Sequence, residues 1–283
     1  MKRPPREYRF RGYRLRFNRT LVMGILNITP DSFSDGGRYF DPAAAIAHAR
    51  ALADEGADIL DVGGESSRPG AAPVAEDEEL RRVIPVIREV VRAHPSLPVS
   101  IDTYKPRVAQ AALEAGASII NDISGLRDPA MVSLAAASGV PVVVMHMRGT
   151  PQTMQRRPAY RDVVEDIRSY FLDRIKTPTA RGVRKIILDP GIGFGKTANH
   201  NLAILNRLES LCGLGCPVLV GVSRKSFIGA SLGAKVGARG PGAIAANVIA
   251  ITKGARIIRV HDVADNLQAA RMAEFIIRGK KKG

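Results

Sequence analysis

The strongest constraint on this chain is a rhythm: a short apolar run, a polar or glycine-containing loop after it, then a stretch of helix length, repeated eight times. The apolar runs fall at residues 21–26, 59–62, 99–101, 118–120, 142–145, 186–188, 218–222 and 257–260. Short continuous runs of this kind suit parallel strands buried on both faces, and the stretches between them supply the crossovers. Helices are expected over 42–55, 77–93, 106–115, 129–137, 160–176, 201–211, 243–253 and 263–277, the first opened by Asp41 as cap with Pro42 behind it. Three helix-to-strand junctions (EGADI from Glu55, EAGASI from Glu114, KGARI from Lys253) end a helix on glycine and re-enter a strand. Eight such units predict an α/β fold, a (β/α)8 TIM barrel, rather than an open doubly wound sheet.

A length of 283 residues fits one such domain, and no Ser- or Pro-rich linker divides the chain. The expected division is a basic N-terminal tail and hairpin over 1–20, the barrel over 21–278 and a basic tail over 279–283. The net charge of +15 sits at the ends: residues 1–19 and 278–283 hold 12 of the 42 basic residues and one of the 27 acidic ones. The remainder carries a net of only +4, so nucleic acid is not expected as a partner. Apolar and Arg positions alternate from Tyr8 to Phe17, broken at Arg11-Gly12, which reads as a short β-hairpin able to plug the bottom of a barrel. Cys212 and Cys216 have no histidine or further cysteine spaced for zinc and read as two reduced thiols. No apolar run is long enough to span a membrane and the N-terminus lacks a secretory core, so a cytoplasmic protein is expected.

The active site of such a barrel lies at the carboxyl ends of its strands, so the residues that follow each run carry the functional information. They are Asn27, Asp61, Asp102, Asn121 with Asp122, His146, Asp189, Ser223 to Ser226, and Arg259 with His261. The last two loops are where these barrels often bind phosphate, and here they hold Arg224, Lys225, Arg259 and His261. Asp102, Asn121 and Asp189 offer acceptors and an amide suited to the edge of an aminopyrimidine-like ring. Residues 29–37, with paired glycines as hinges, are expected to close over both. Residues 190–197 nearly match a nucleotide-binding loop, but Pro190 replaces its first glycine and cannot supply the backbone N–H that such a loop aims at phosphate.

Taken in order, NITPDSFSDGG from Asn27, GGESSRPG from Gly63, DTYK from Asp102, INDI from Ile120, MHM from Met145, residues 189–196, SRKSFIG from Ser223 and RVHDV from Arg259 resemble the successive motifs of the dihydropteroate synthase family. The resemblance covers nearly the whole chain from Leu21 onward. It implies a transferase of folate biosynthesis that joins 6-hydroxymethyl-7,8-dihydropterin diphosphate to 4-aminobenzoate, with Mg2+ as cofactor and a homodimeric assembly. It also implies that Asp102, Asn121, Met145, Asp189 and Lys225 hold the pterin, Met145 as its floor. Asn27, Arg68, Arg259 and His261 would meet the pyrophosphate, with Asn27 also reaching the metal. Phe33, Ser67, Pro69, Phe194 and Ser226 would form the 4-aminobenzoate pocket. Asn27, Arg68, Lys225, Arg259 and His261 are then the expected catalytic set, and the site is expected to be a sulfonamide target.

The leaving group is the chemical problem, so Arg259, His261, Arg68 and the metal are expected to neutralise its charge while Asp102 and Asp189 stabilise a pterin methylene with cation character. Asp122 and Asp262 also read as caps, Asp61 as a structural hydrogen-bonding group, His146 as a support, His48, His94 and His200 as surface or helix-end residues, and Lys105 and Lys196 as solvated charges. Asp31 and Asp35 either reach the metal or belong to a solvated turn. Ser67 replaces the family's usual Thr and keeps its hydroxyl. Residues 176–181 are expected to end their helix early, and 237–242 open the next-to-last helix with unusually little polarity. The alternatives are a non-catalytic or altered-specificity pterin-binding paralogue and a pterin-dependent methyltransferase; the latter should lack the Arg259–His261 anion end and the Ser223–Ser226 loop.

Overall fold

The computed structural model describes residues 2–28 and 42–279. Eight parallel strands make one sheet in the order β8-β7-β6-β5-β4-β3-β10-β9. They are β3 (Leu21–Asn27), β4 (Ile59–Gly63), β5 (Val99–Asp102), β6 (Ile119–Asp122), β7 (Val142–Met145), β8 (Ile186–Asp189), β9 (Leu219–Val220) and β10 (Ile257–Val260). A parallel bridge between Leu188 and Val218, with Leu188 N–H donating to the Pro217 carbonyl at 2.9 Å, joins the two outermost strands and closes the barrel. The seventh barrel strand is shorter than expected. After Val220 the chain leaves the ladder for a turn that places Arg224 at φ 59°.

The N-terminal hairpin pairs β1 (Glu7–Phe10) with β2 (Tyr13–Arg16) through a two-residue turn in which Arg11 and Gly12 both have positive φ, 44° and 81°. That turn matches the twist of an antiparallel pair. Tyr8, Phe10, Leu15 and Phe17 pack beneath the barrel against Leu21, Met23, Ile59, Ile119, Val143, Ile187, Leu219 and Ile257, and the Tyr8 hydroxyl donates to the Ile186 carbonyl at 2.9 Å. The hairpin is a plug, as its alternation predicts.

The outer helices are α1 (Pro42–Asp54), α2 (Glu76–Ala93), α3 (Pro106–Glu114), α4 (Pro129–Ser138), α5 (Val163–Ala180), α6 (Ala198–Asn206), α7 (Glu209–Cys212), α8 (Ser226–Leu232), α9 (Gly240–Thr252) and α10 (Val263–Arg278). The glycine junctions work as read: Gly56, Gly116 and Gly254 take φ of 94°, 111° and 105°, a region that other residues enter at a steric cost. Three helices differ from expectation. The stretch 201–211 divides between α6 and α7; α8 is an additional short helix beginning at Ser226; and α5 runs to Ala180 with Pro178 inside it. Pro178 lies in the last turn of α5, and its carbonyl accepts the N–H groups of Arg181 and Val183 at 3.0 Å each, so the helix ends just beyond it. Asp41, expected as the cap of α1, lies outside the described residues.

Candidate active site

Inside the barrel the strand pleat turns every second side chain inward. The first inward layer is apolar apart from Ser100 on β5, and its apolar members pack on the hairpin. The next layer up holds Asp61, Asp102, Asn121, Met145, Asp189 and Arg259, one pleat nearer the carboxyl ends. Two glycines border this layer with ordinary van der Waals room beside them. A Cβ on Gly221 would lie 3.6 Å from the Arg259 Cβ and 3.9 Å from Lys225 Nζ, and one on Gly63 would lie 3.4 Å from the Asp102 Cβ and 3.8 Å from Asn27 Oδ1.

Arg259 ties this layer together. Its Nε donates to Asp61 Oδ2 at 2.6 Å and its Nη2 to Asp102 Oδ2 at 2.7 Å. Asp61 Oδ2 also accepts Asn121 Nδ2 at 3.0 Å. Asp61 is fully buried, so the group read as structural is the node that orients an arginine and an amide from two other strands. Such bonds to ionised groups are about twice as strong as neutral ones, which fixes the guanidinium before any ligand arrives. Burial pushes the Asp102 carboxyl up to about 7, against the pull of Arg259.

Asp189 and Lys225 form the other side. Asp189 Oδ1 accepts the Gly191 N–H at 2.7 Å, and burial raises its pKa while Lys225 opposes the rise. Lys225 Nζ donates to the Ile192 carbonyl and stands 4.7 Å from the centre of the Phe194 ring. Burial lowers the Lys225 pKa to about 8, with Asp189 holding it up. Met145 lies under this edge in an apolar patch with Ile123, Met147 and Met154, against which Tyr104 and Phe194 also pack.

Beyond the carboxyl ends of the last two barrel strands, His261 Nδ1 is 2.9 Å from Ser223 Oγ. Burial, with Arg224 and Arg259 nearby, pushes its pKa down to about 3, so without ligand the imidazole is neutral rather than a cation at neutral pH. Arg224 pairs with Asp262 at 2.7 Å, and Arg239 donates to the Arg224 carbonyl at 3.2 Å. Asp262 thus pairs with a cation and makes no side-chain cap to α10. Asn27 is half-buried at the end of β3, while Arg68 and Pro69 are exposed on the loop after β4. Ser67 on that loop lines a small cavity with Asp102, Tyr104 and Ile123. Ser226 is exposed at the first position of α8. Phe33, Asp31 and Asp35, with the expected closing loop, lie outside the described residues.

Two charges read as solvated are buried. Lys105 donates to Glu65 and Glu79, each at 2.5 Å, and to the Val74 carbonyl at 2.6 Å. Lys196 donates to the carbonyls of His146, Gly191 and Phe194 at 3.2, 2.8 and 2.9 Å, and burial lowers its pKa well below that of an ordinary lysine. The ammonium therefore knots residues 189–197 from inside. Thr197 caps α6 in a reciprocal box with His200. Neither residue is offered to phosphate, so the nucleotide-loop likeness ends there. A signal for Lys105 existed: it is a cation at the positive end of α3, with no side-chain cap bond, a position that calls for a counter-charge.

Asp122 accepts the N–H groups of Ser124 at 2.7 Å and Leu126 at 2.8 Å, so it closes the turn after β6. The His146 ring packs 5.0 Å from Tyr170 and 6.0 Å from Tyr160, which is a supporting position. Cys212 and Cys216 are both free, and burial raises their thiol pKa values to about 12 and about 11.

Comparison with known proteins points the same way as the geometry. A family profile described as pterin binding enzyme matches residues 23–261. A dihydropteroate synthase of Bacillus subtilis is 50% identical over 268 residues, 94% of this chain and 90% of the relative. The structure of Xanthomonas albilineans dihydropteroate synthase with 4-aminobenzoic acid superposes with a TM-score of 0.91 at 44% identity, covering 98% of this chain and 99% of that one. The Yersinia pestis dihydropteroate synthase, solved as a sulfonamide drug complex, gives a TM-score of 0.91 at 43% identity, covering 96% and 100%.

Proposed function

Because this chain belongs to the pterin-binding enzyme family, and within it to the dihydropteroate synthases, we propose how its own residues carry out that reaction. The activity is the condensation of 6-hydroxymethyl-7,8-dihydropterin diphosphate with 4-aminobenzoate to give 7,8-dihydropteroate and pyrophosphate in folate biosynthesis. The observation that carries the residue assignments is Arg259, held between Asp61 and Asp102 with a ring-reading edge on one side and a cationic end on the other.

In this reading Asp102, Asn121 and Asp189 take the donors and acceptors of the pterin edge, Lys225 donates to a ring acceptor and Met145 supports the ring face. Asn27, Arg68, Arg259 and His261 surround the diphosphate. Two of the five guanidinium N–H donors of Arg259 are committed to carboxylates, which sets the plane of the rest and avoids reorganisation when charge develops on the leaving group. The neutral His261 serves as a hydrogen-bond donor. The methylene–oxygen bond breaks with its electron pair going to pyrophosphate, the aromatic nitrogen forms the new bond to carbon, and the nitrogen then loses its proton. Asp102 and Asp189 face the positive charge that the ring carries in between.

Ser67, Pro69, Phe194, Ser226 and Phe33 are proposed to hold 4-aminobenzoate, and the same pocket would receive sulfonamides. Magnesium suits the site only as a companion of the diphosphate. Asn27 offers one amide oxygen, and no cluster of three His, Cys, Asp or Glu able to hold an ion occurs among the described residues. Mg2+ commonly takes one or two protein oxygens together with substrate phosphates and water. When bound, it would neutralise charge on the leaving group.

A homodimer is supported by large apolar side chains left open on α9 and α10, including Ile249, Met272, Phe275 and Ile276, the last 70% exposed. Among the described residues no helix is long and apolar enough to cross a membrane. The cytoplasm is proposed as the compartment because the two free thiols suit reducing conditions. As a test, the protein with both substrates and Mg2+ should release one pyrophosphate per dihydropteroate. Pterin binding without product would favour the non-catalytic paralogue instead.

A further inference from the structure

Residues 64–75 leave β4 and return at α2, and the two ends of this loop are fastened to each other. Glu65 Oε2 accepts the Val74 N–H at 3.0 Å and Lys105 Nζ at 2.5 Å, while its Oε1 accepts the Tyr104 hydroxyl at 2.9 Å. Lys105 Nζ also donates to the Val74 carbonyl at 2.6 Å and to Glu79 Oε2 on α2 at 2.5 Å. The ammonium has three N–H donors and three acceptors around it. Residues 65 and 74 therefore form a closed neck, and the chain between them is a compact loop of the Ω kind that carries Ser67, Arg68 and Pro69.

The neck and the tip differ in surroundings. Lys105 and Glu79 are 9% and 1% exposed, whereas Arg68, Pro69 and Gly70 are exposed. Among the described residues the tip is tied to the rest of the barrel by Gly70 N–H to the Pro151 carbonyl at 3.0 Å and Gln152 Nε2 to the Ala71 carbonyl at 3.1 Å. A cation and two carboxylates are expensive to bury, and an apolar cluster would hold two segments together at least as well. What the charged cluster adds is direction. Each contact fixes an angle as well as a distance, and the neck sets where the tip stands, with Ser67 on the cavity it lines together with Asp102.

We propose that Lys105, acting through Glu65, is a positioning residue for the second substrate: it closes the neck of the 65–74 loop and so fixes Ser67 and Pro69 where 4-aminobenzoate docks. This rests on the site assignments of the preceding subsection. Lys105 itself touches neither substrate.

The test uses the full chain with Lys105→Met, Lys105→Arg, Glu65→Gln and Tyr104→Phe. It reads KM for each substrate together with equilibrium binding of 6-hydroxymethylpterin, which lacks the diphosphate and so reports the ring readers alone. Lys105→Met and Glu65→Gln are expected to raise KM for 4-aminobenzoate at least about tenfold and to leave 6-hydroxymethylpterin affinity within about twofold. Lys105→Arg, which keeps the charge, should recover part of the loss. Tyr104→Phe removes one bond at the edge of the neck and should raise the same KM about threefold, and it keeps the test alive if Lys105→Met does not fold. The proposal is overturned if 4-aminobenzoate KM stays put in these variants, or if ring affinity falls by the same factor as KM rises. A wild-type protein that makes no dihydropteroate would overturn the site assignments themselves.

Discussion

Two layers of side chains inside the barrel lie one pleat apart on the same strands, and on four of them the residue type changes completely: Ile59 gives way to Asp61, Ile119 to Asn121, Ile187 to Asp189 and Ile257 to Arg259. The lower layer is closed by the hairpin and makes non-directional contacts. The upper layer is held by hydrogen bonds among charged and amide groups at 2.6 to 3.0 Å. The lower layer can therefore lose a contact and retain the site, while the upper layer cannot lose a partner without leaving another group buried and unpaired.

The largest effect should come from Arg259→Ala. It strands Asp61 and Asp102, with an expected stability loss of about 3–5 kcal/mol in thermal or denaturant unfolding. Pyrophosphate release should fall at least about tenfold, and unchanged turnover would remove Arg259 from the leaving-group end.

In the plug beneath the lower layer, Leu15→Ala should cost about 2–5 kcal/mol of stability by opening a cavity there. KM for both substrates should stay within about twofold, a ratio that steady-state kinetics on the folded variant can read. A plug variant that altered substrate affinity would erase the distinction between the layers.

Asp61→Asn keeps the shape and removes the charge that orients Arg259. It should lower kcat/KM for the pterin diphosphate by about 1.5–3 kcal/mol in transition-state terms.

The pH dependence of kcat/KM reports the free enzyme, and the upper layer should write its own limbs there. Asp102 is raised by burial to about 7, so the carboxylate proposed to accept from the pterin ring appears as pH rises through that value. Lys225 is lowered by burial to about 8, so its ammonium is lost as pH rises further. The profile should rise to about 7, fall above about 8 and belong to the cluster rather than to single residues. A flat profile from pH 6 to 9 would contradict this. The smallest effect is Tyr8→Phe, which removes one neutral hydrogen bond beneath the barrel and should cost about 1 kcal/mol in unfolding with no kinetic change.

The polar residues of the upper layer were legible because Asp102, Asn121 and Asp189 directly follow an apolar run and Asp61 and Arg259 stand one residue before its end, and a polarity switch at a strand end is a local signal. The hairpin was legible for the same reason, through alternation broken by a turn. Lys105 and Lys196 were not. The partners of Lys105 lie 40 and 26 residues away on other elements, and those of Lys196 are backbone carbonyls, which leave no trace in residue identity. The neutral state of His261 was hidden likewise, because it follows from burial and from Arg224 and Arg259 rather than from its own type. The run of α5 through Pro178 was misread because a proline signals a helix end without saying whether the last turn closes around it.

The central claim is that the upper layer drives departure of the leaving group ahead of nitrogen attack. It is tested most directly by labelling the ester oxygen that joins the pterin methylene to the first phosphorus and incubating the labelled diphosphate with the wild-type protein and Mg2+ while 4-aminobenzoate is withheld. The account predicts that the label scrambles into non-bridging positions of the recovered diphosphate. An unscrambled label, from protein that turns over fully once 4-aminobenzoate is added, would contradict it.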